Sequence, residues 1–214
     1  MLLKIGIIGS GHIGGTAARL FVEAGHQVAI SHAHGPESLQ PLVAQLGRNA
    51  CAVTVGEACS FGDVVLVAIP YRDYKTLPAK LLAGAVVVDA MNYYQQRDGD
   101  IDFGVLTSSE LVARHLPNST VVKAFNTMHY ETLGTAGKPS APESERLALF
   151  VAGDDADAKE HVSGLIREIG FAPLDTGSLR DGGLKQQPGS SIYGNPLKPA
   201  DARQALNQPG KKAA

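Results

Sequence analysis

Three glycines stand in the string Gly9-Ser10-Gly11-His12-Ile13-Gly14, with Gly15 directly behind it. That spacing suits a backbone loop cradling a diphosphate. The first glycine permits a sharp turn, the second lets backbone approach the phosphates, and the third lets helix and strand pack closely. Phosphates at a helix start gain from its unpaired N–H groups and its dipole. Alone, such a string is a weak signal. This one follows an apolar run, opens a helical pattern and has a further strand about 20 residues on, the context a dinucleotide site requires. The end of that further strand reads Ser31-His32-Ala33-His34-Gly35-Pro36, and the first acid is Glu37. A site for NAD usually places a carboxylate there, on the ribose hydroxyls. Without one a 2′-phosphate is accepted: Ser31 offers a hydroxyl, and His32 and His34 offer ring N–H groups or a cationic imidazole. The segment therefore favours NADP(H). A plainer reading makes His32 and His34 solvated loop residues. No third ligand accompanies them, so no metal site is expected.

These residues need a scaffold, and the hydrophobic pattern supplies it. Short valine-rich runs alternate with helical spacing, which predicts an α/β fold: a three-layer, doubly wound, mostly parallel sheet of the Rossmann type. Strands are expected at 2–8, 27–31, 51–55, 63–70, 85–91, 120–125, 147–152 and 171–175. Helices are expected at 13–24, at 37–46 behind Pro36, and at 158–169. Residues 134–146, polar with Gly, Pro and Ser, read as a surface loop or lid. The NADP(H)-binding domain is expected over 1–177. Residues 178–214 are expected as an extended C-terminal arm, disordered over 210–214, that either reaches a second subunit or folds over its own sheet.

In an open parallel sheet, ligands lie beyond the carboxyl ends of the strands where the strand order reverses. The expected rim is Ser31, Ala68-Ile69-Pro70-Tyr71, Met91-Asn92-Tyr93 and Asn126-Thr127-Met128-His129. Asn92 and Asn126 carry carboxamides for the nicotinamide or for an acceptor ring, or else fix turns. Tyr93 and Tyr94 are an aromatic wall or loop anchors. His129 is the candidate proton donor, with Asn126 and Thr127 beside it; it reads equally well as a surface residue. Asp89, late in an apolar strand, needs partners and is expected to tie down a loop.

Composition narrows the function classes. The 214 residues carry 19 Lys plus Arg against 21 Asp plus Glu. That balance lacks the basic excess of a nucleic-acid binder. Cys51 and Cys59 have no CxxC spacing and read as small core residues. No apolar run reaches the roughly 18 residues of a membrane span. A cytoplasmic protein with a small-molecule partner and no membrane is expected.

At this point the chain resembles the coenzyme F-420-dependent NADP oxidoreductases and their bacterial relatives. The likeness runs from Lys4 to about Tyr193. It rests on Ser31 to Pro36 with Glu37-Ser38-Leu39, on Ala68-Ile69-Pro70-Tyr71, and on Asp89-Ala90-Met91-Asn92-Tyr93-Tyr94 with Arg97-Asp98-Gly99. Val121 to Thr127, Phe150 to Asp155, and Gln186-Gln187-Pro188-Gly189 with Tyr193-Gly194 add to it. The same module is similar to the cytoplasmic domain of six-transmembrane ferric reductases. The resemblance implies NADP(H) on the glycine loop and the Ser31 segment, and hydride exchange between C4 of the nicotinamide and C5 of a deazaflavin stacked on it. It also implies a homodimer. Many members carry Arg where this chain offers His32 and His34. Three functions follow: a hydride-transferring oxidoreductase with a deazaflavin or flavin-like acceptor; a reductase of another small acceptor such as an imine, a quinone or chelated ferric iron; or a non-catalytic NADP(H) sensor.

Overall fold

The computed structural model describes residues 2–62 and 64–207, so the disorder expected over 210–214 lies outside the described residues. Eight strands form one sheet: β1 (Lys4–Ile8), β2 (Gln27–Ser31), β3 (Ala50–Ala52), β4 (Val64–Val67), β5 (Val86–Asp89), β6 (Thr120–Lys123), β7 (Ala148–Ala152) and β8 (Ala172–Gly177). Their order is β3-β2-β1-β4-β5-β6-β7-β8. Neighbours run parallel except β6 and β7, which are antiparallel with Lys123 opposite Ala152. The order reverses between β1 and β4, where two outgoing connections part and leave a crevice.

Because strands alternate sides, β4 sends Leu66 to one face and Val65 and Val67 to the other. Leu66 packs with Ile5, Ile7, Phe21 and Ile30, and the other two with Tyr71, Leu82, Val87 and Val112. Covering both faces is what makes these strands read as unbroken apolar runs.

The helices are α1 (His12–Glu23), α2 (Gln40–Leu46), α3 (Val55–Phe61), α4 (Gln95–Asp98), α5 (Ser108–His115), α6 (Tyr130–Thr135), α7 (Ala156–Glu168), α8 (Asp181–Lys185) and α9 (Pro199–Leu206). The helix expected over 37–46 is a 3-10 turn, Pro36–Leu39, that runs into α2. Pro41 explains the break, since it has no N–H to donate back to Glu37. The short helices α3 and α5 escaped the apolar pattern, although each carries a capping box, Thr54 with Glu57 and Thr107 with Glu110. The expected loop over 134–146 holds the end of α6 and a 3-10 turn, Glu143–Glu145.

The expected extended arm is corrected. Beyond β8 the chain forms α8 and α9 and packs on its own sheet, with Ile192 and Ala202 fully buried beside Ala148, Phe150 and Leu174. Pro199 in the first turn, then Ala202, Ala205 and Leu206 at helical spacing, specify α9. The Ala148 N–H donates to the Leu197 carbonyl at 2.8 Å, which fastens the segment to β7.

Candidate active site

Each glycine of the loop has its own reason. Gly9 has φ +105°, and a Cβ there would lie 2.3 Å from the Ala68 carbonyl oxygen. A Cβ on Gly14 would lie 1.8 Å from the Gly9 carbonyl oxygen. These two are fixed by packing. Gly11 is the opposite case: its φ of −71° suits any residue, and a Cβ would meet nothing within 4 Å. The space above it is open, as a diphosphate cradle requires. The helix start beside it is open too. Thr54, Thr107 and Asp155 cap α3, α5 and α7 with side-chain oxygens, whereas α1 has no side-chain cap and no acid in its first turn. Its first amides are left for an anion.

A cavity of about 700 Å³ opens over this loop, lined by Ser10, Gly11, His32, His34, Val55, Ala68, Ile69, Pro70, Asp73 and Leu77 among others. The expected 2′-phosphate clamp is only partly there. Ser31 is fully buried and donates its hydroxyl to the Ile7 carbonyl at 3.0 Å, so it ties β2 to β1 and faces no ligand. His32 is committed to its own loop. Its Nδ1 accepts the His34 N–H at 3.0 Å and its Nε2 lies 2.7 Å from the Ser38 hydroxyl. This arrangement fixes the tautomer with the proton on Nε2. The exposed ring of His34 is left to meet a phosphate. Asp73, on the 3-10 turn Tyr71–Thr76, brings one carboxylate into the wall, a feature the strand-end pattern gave no sign of.

A second cavity, of about 380 Å³, shares Ala68, Ile69 and Pro70 with the first and continues across the ends of β4, β5 and β6. His12, Ile13, Met91, Asn92, Tyr94, Arg97, Asn126, Thr127, His129, Tyr130 and Tyr193 line it. The structure thus gathers most of the expected rim. Besides Ser31, Tyr71 and Tyr93 are exceptions: Tyr71 is fully buried, stacks on Tyr74, and its hydroxyl donates to the Ser108 carbonyl at 2.7 Å. Pro70 turns the chain so that Tyr71 enters the core. Tyr93 likewise faces Phe103 and Tyr71 and donates to the Gly99 carbonyl, as a loop anchor, whereas Tyr94 is the aromatic wall. At the mouth His12 stacks on Tyr130, centroids 4.1 Å apart, and His129 leans on the same ring.

Asn126 is buried in the cavity wall. It follows Phe125, a buried residue held at φ +64°, a strained conformation for a bulky side chain. Asn126 Nδ2 donates to Asn92 Oδ1 at 3.0 Å and to the Gln186 carbonyl at 2.8 Å, and Asn92 Nδ2 donates to the Asn126 carbonyl at 2.8 Å. Carbonyl oxygens only accept, so both side-chain amides are locked in orientation. Asn126 Oδ1 is left buried with no donor among the described residues. A buried acceptor without a donor costs about 1–3 kcal/mol. The amide of a nicotinamide, a two-hydrogen donor, matches that acceptor in chemistry.

Beneath the cavity floor lies a pair that sequence reasoning half found. Asp89 Oδ1 accepts the Met91 N–H at 3.0 Å, as expected of a carboxylate that ties down a loop. Its other oxygen accepts from Ser109 at 2.8 Å and from Lys123 Nζ at 3.2 Å. Lys123 also donates to the Met91 carbonyl. Burial pulls the Lys123 ammonium below its ordinary pKa, and Asp89 pulls it back up. The roles of Lys123 and Arg97 were missed; of the two courses expected for residues beyond 178 the chain takes the one over its own sheet, and the contacts it brings to the site were not expected. Gln186 and Tyr193 reach the site, and the Gly194 N–H donates to the Thr127 carbonyl at 2.8 Å.

The chain is similar to several known proteins. The family model described as NADP oxidoreductase, coenzyme F-420-dependent, matches residues 4–93. A hypothetical protein from Sinorhizobium meliloti is 32% identical with a TM-score of 0.81, over 92% of this chain and 96% of that one. A candidate F-420-dependent NADP reductase from Arthrobacter sp. shares the fold at 24% identity and a TM-score of 0.68, over 83% of this chain and 86% of that one. Metalloreductase STEAP3 of Rattus norvegicus is 31% identical over 185 residues, 82% of this chain. The chain spans about a third of the length of the curated relatives it matches. Among the described residues no helix is long and apolar enough to cross a membrane, and no group of three or more His, Cys, Asp or Glu could hold a metal ion.

Proposed function

We propose that the chain is a coenzyme F-420-dependent NADP oxidoreductase, the family whose model matches residues 4–93, and that it carries hydride from NADPH to a deazaflavin or flavin-like acceptor seated in the 380 Å³ cavity. The observation that carries the reading is the unclaimed Oδ1 of Asn126, a residue lining that cavity, together with the uncapped start of α1. When bound, the coenzyme supplies the hydride. This chain's residues do the rest. The Gly9–Gly14 backbone and the α1 amides hold the diphosphate, His34 meets the 2′-phosphate, and Asn126 accepts from the nicotinamide amide and so sets the plane of the ring. Tyr94 and the His12, Tyr130 and His129 rings wall the remaining space and favour a flat conjugated acceptor over a small aliphatic one. Such chemistry depends chiefly on alignment and exclusion of water. The likeness to a metalloreductase favours chelated ferric iron as the second acceptor class.

The test is NADPH oxidation, followed by nicotinamide absorbance, against a panel of deazaflavin, FMN, FAD, quinone and ferric chelate. Turnover with the deazaflavin or flavins is expected. Tight NADPH binding with turnover by none of them would overturn the reading and favour a sensor.

A further inference from the structure

The phenols of Tyr94 and Tyr193 share a hydrogen bond in the wall of the 380 Å³ cavity, and a count of their protons leaves one over. Two phenols carry two O–H hydrogens, and the bond between them uses one. No oxygen or nitrogen of the described residues accepts the other. The pair's remaining polar contact, Asn92 Nδ2 at 3.3 Å from the Tyr193 hydroxyl, is itself a donor. Whichever phenol donates to its neighbour, one O–H stays uncommitted beside the cavity.

We propose that this pair is the proton donor of the reaction, passing its free phenolic proton to a nitrogen or oxygen of the acceptor as hydride arrives at an acceptor carbon. This rests on the proposed function. The step balances: a C–H bond of NADPH breaks and a C–H bond of the acceptor forms with the same electron pair. The phenolic O–H breaks, the acceptor gains an N–H or O–H, NADPH is oxidised and the acceptor reduced. Solvent then returns the proton to the pair.

The surroundings suit a group that gives up a proton and must carry the charge. The phenolate accepts from the other phenol and, on Tyr193, from Asn92 Nδ2. The Arg97 guanidinium lies 5.1 Å from the centroid of the Tyr94 ring. Arg97 is held there by Asp98, at 2.8 and 2.9 Å, and by the Asn92 carbonyl at 2.6 Å. Burial first, and the bond with Tyr94 second, push the Tyr193 phenol up, with Arg97 pulling it down, so Tyr193 enters the step protonated. His129 lines the same cavity at its mouth, 62% exposed and 3.7 Å from Glu131. The phenol pair is the more enclosed acid. Its second member arrives on the segment beyond β8, which makes that segment part of the site.

The test compares the parent with Tyr94→Phe, Tyr193→Phe and the double variant, using NADPH and 5-deazariboflavin. Single-turnover hydride transfer in the double variant is expected to fall roughly a hundredfold, the low end for a positioned acid. Each single variant keeps a phenol but loses the bond that spreads the charge, and is expected to lose about tenfold. Affinity for NADPH is expected to hold. Affinity of 5-deazariboflavin for the NADP⁺ complex, a readout without turnover, is expected to weaken about three- to tenfold in the double variant, the worth of one hydrogen bond. A double variant that transfers at the parent's rate overturns the inference; should it fail to fold, both single variants doing so overturn it equally. A parent that binds NADPH yet reduces no acceptor defeats the proposed function, and this inference with it. An active parent with equally active variants defeats the inference alone.

Discussion

The two ends of the cleft are built by opposite means. Over β1 and β2 the site is backbone: six consecutive positions, Gly9 to Gly14, turn a strand into a helix whose amides point at open space. Over β5 and β6 it is side chain. Asn92, Tyr94, Asn126 and Tyr193 meet across sequence separations of 34 to 101 residues. Backbone anion sites are preorganised by the fold and cost little extra to hold. A side-chain network locks only when every partner arrives, and it specifies geometry more finely in return. The first end therefore suits a universal fragment, a diphosphate. The second end, with one free acceptor and one free donor, suits a particular ring.

The sharpest way to break this contrast is Gly11→Asp. A Cβ at Gly11 meets nothing, its φ is ordinary, and aspartate is a favoured residue before a helix. Folding stability should hold or rise slightly. The carboxylate, however, would occupy the anion's place against the α1 amides, and like-charge contact costs several kcal/mol. Affinity for NADPH should fall about a thousandfold, about 4 kcal/mol, by titration calorimetry. Retained affinity would remove the diphosphate from this loop.

At the other end the corresponding break is in stability. Lys123→Met leaves the Asp89 carboxylate buried without its cation and the Met91 carbonyl without its donor. Breaking a buried pair from one side costs about 3–5 kcal/mol. Ser109 and the Met91 N–H still serve Asp89, so the lower bound, about 3 kcal/mol, is expected in urea unfolding. A loss under about 1 kcal/mol, the value of an exposed pair, would mean the pair does not hold the Met91–Asn92 turn.

What could be read from the sequence follows the same division. The glycine spacing, the strands from Ile5 to Val151 and the Asn92 and Asn126 strand ends were legible, because each is fixed by neighbours a few residues away. Ser31 and Tyr71 were placed on the rim by position in a strand-end motif, but a strand end has two faces. The register of β1 with β2 turned the Ser31 hydroxyl inward, and Pro70 turned Tyr71 into the core. Arg97, Lys123, Gln186 and Tyr193 carried no local signal of chemistry. Their partners were chosen by topology, above all by the segment beyond β8 folding back to Thr127. α9 was missed along with the rest of that segment, although Pro199 and the spacing of Ala202, Ala205 and Leu206 were there to find it.

The smallest effect tests coenzyme choice. Among the described residues the 700 Å³ cavity has no Lys or Arg in its wall, and Asp73 puts a carboxylate there. Arg72 lies 4.0 Å from Asp73 and takes up part of that charge from outside. Selectivity for a 2′-phosphate then falls to His34, since His32 spends both ring nitrogens on its own loop. One hydrogen bond of this kind is worth about 1 kcal/mol, so His34→Ala should weaken NADPH about fivefold and leave NADH unchanged. His32→Ala should instead loosen the loop and weaken both coenzymes alike, because its imidazole holds the His34 N–H and Ser38. Equal losses for both coenzymes in His34→Ala would show that the phosphate is met elsewhere and that the helix start does most of the binding.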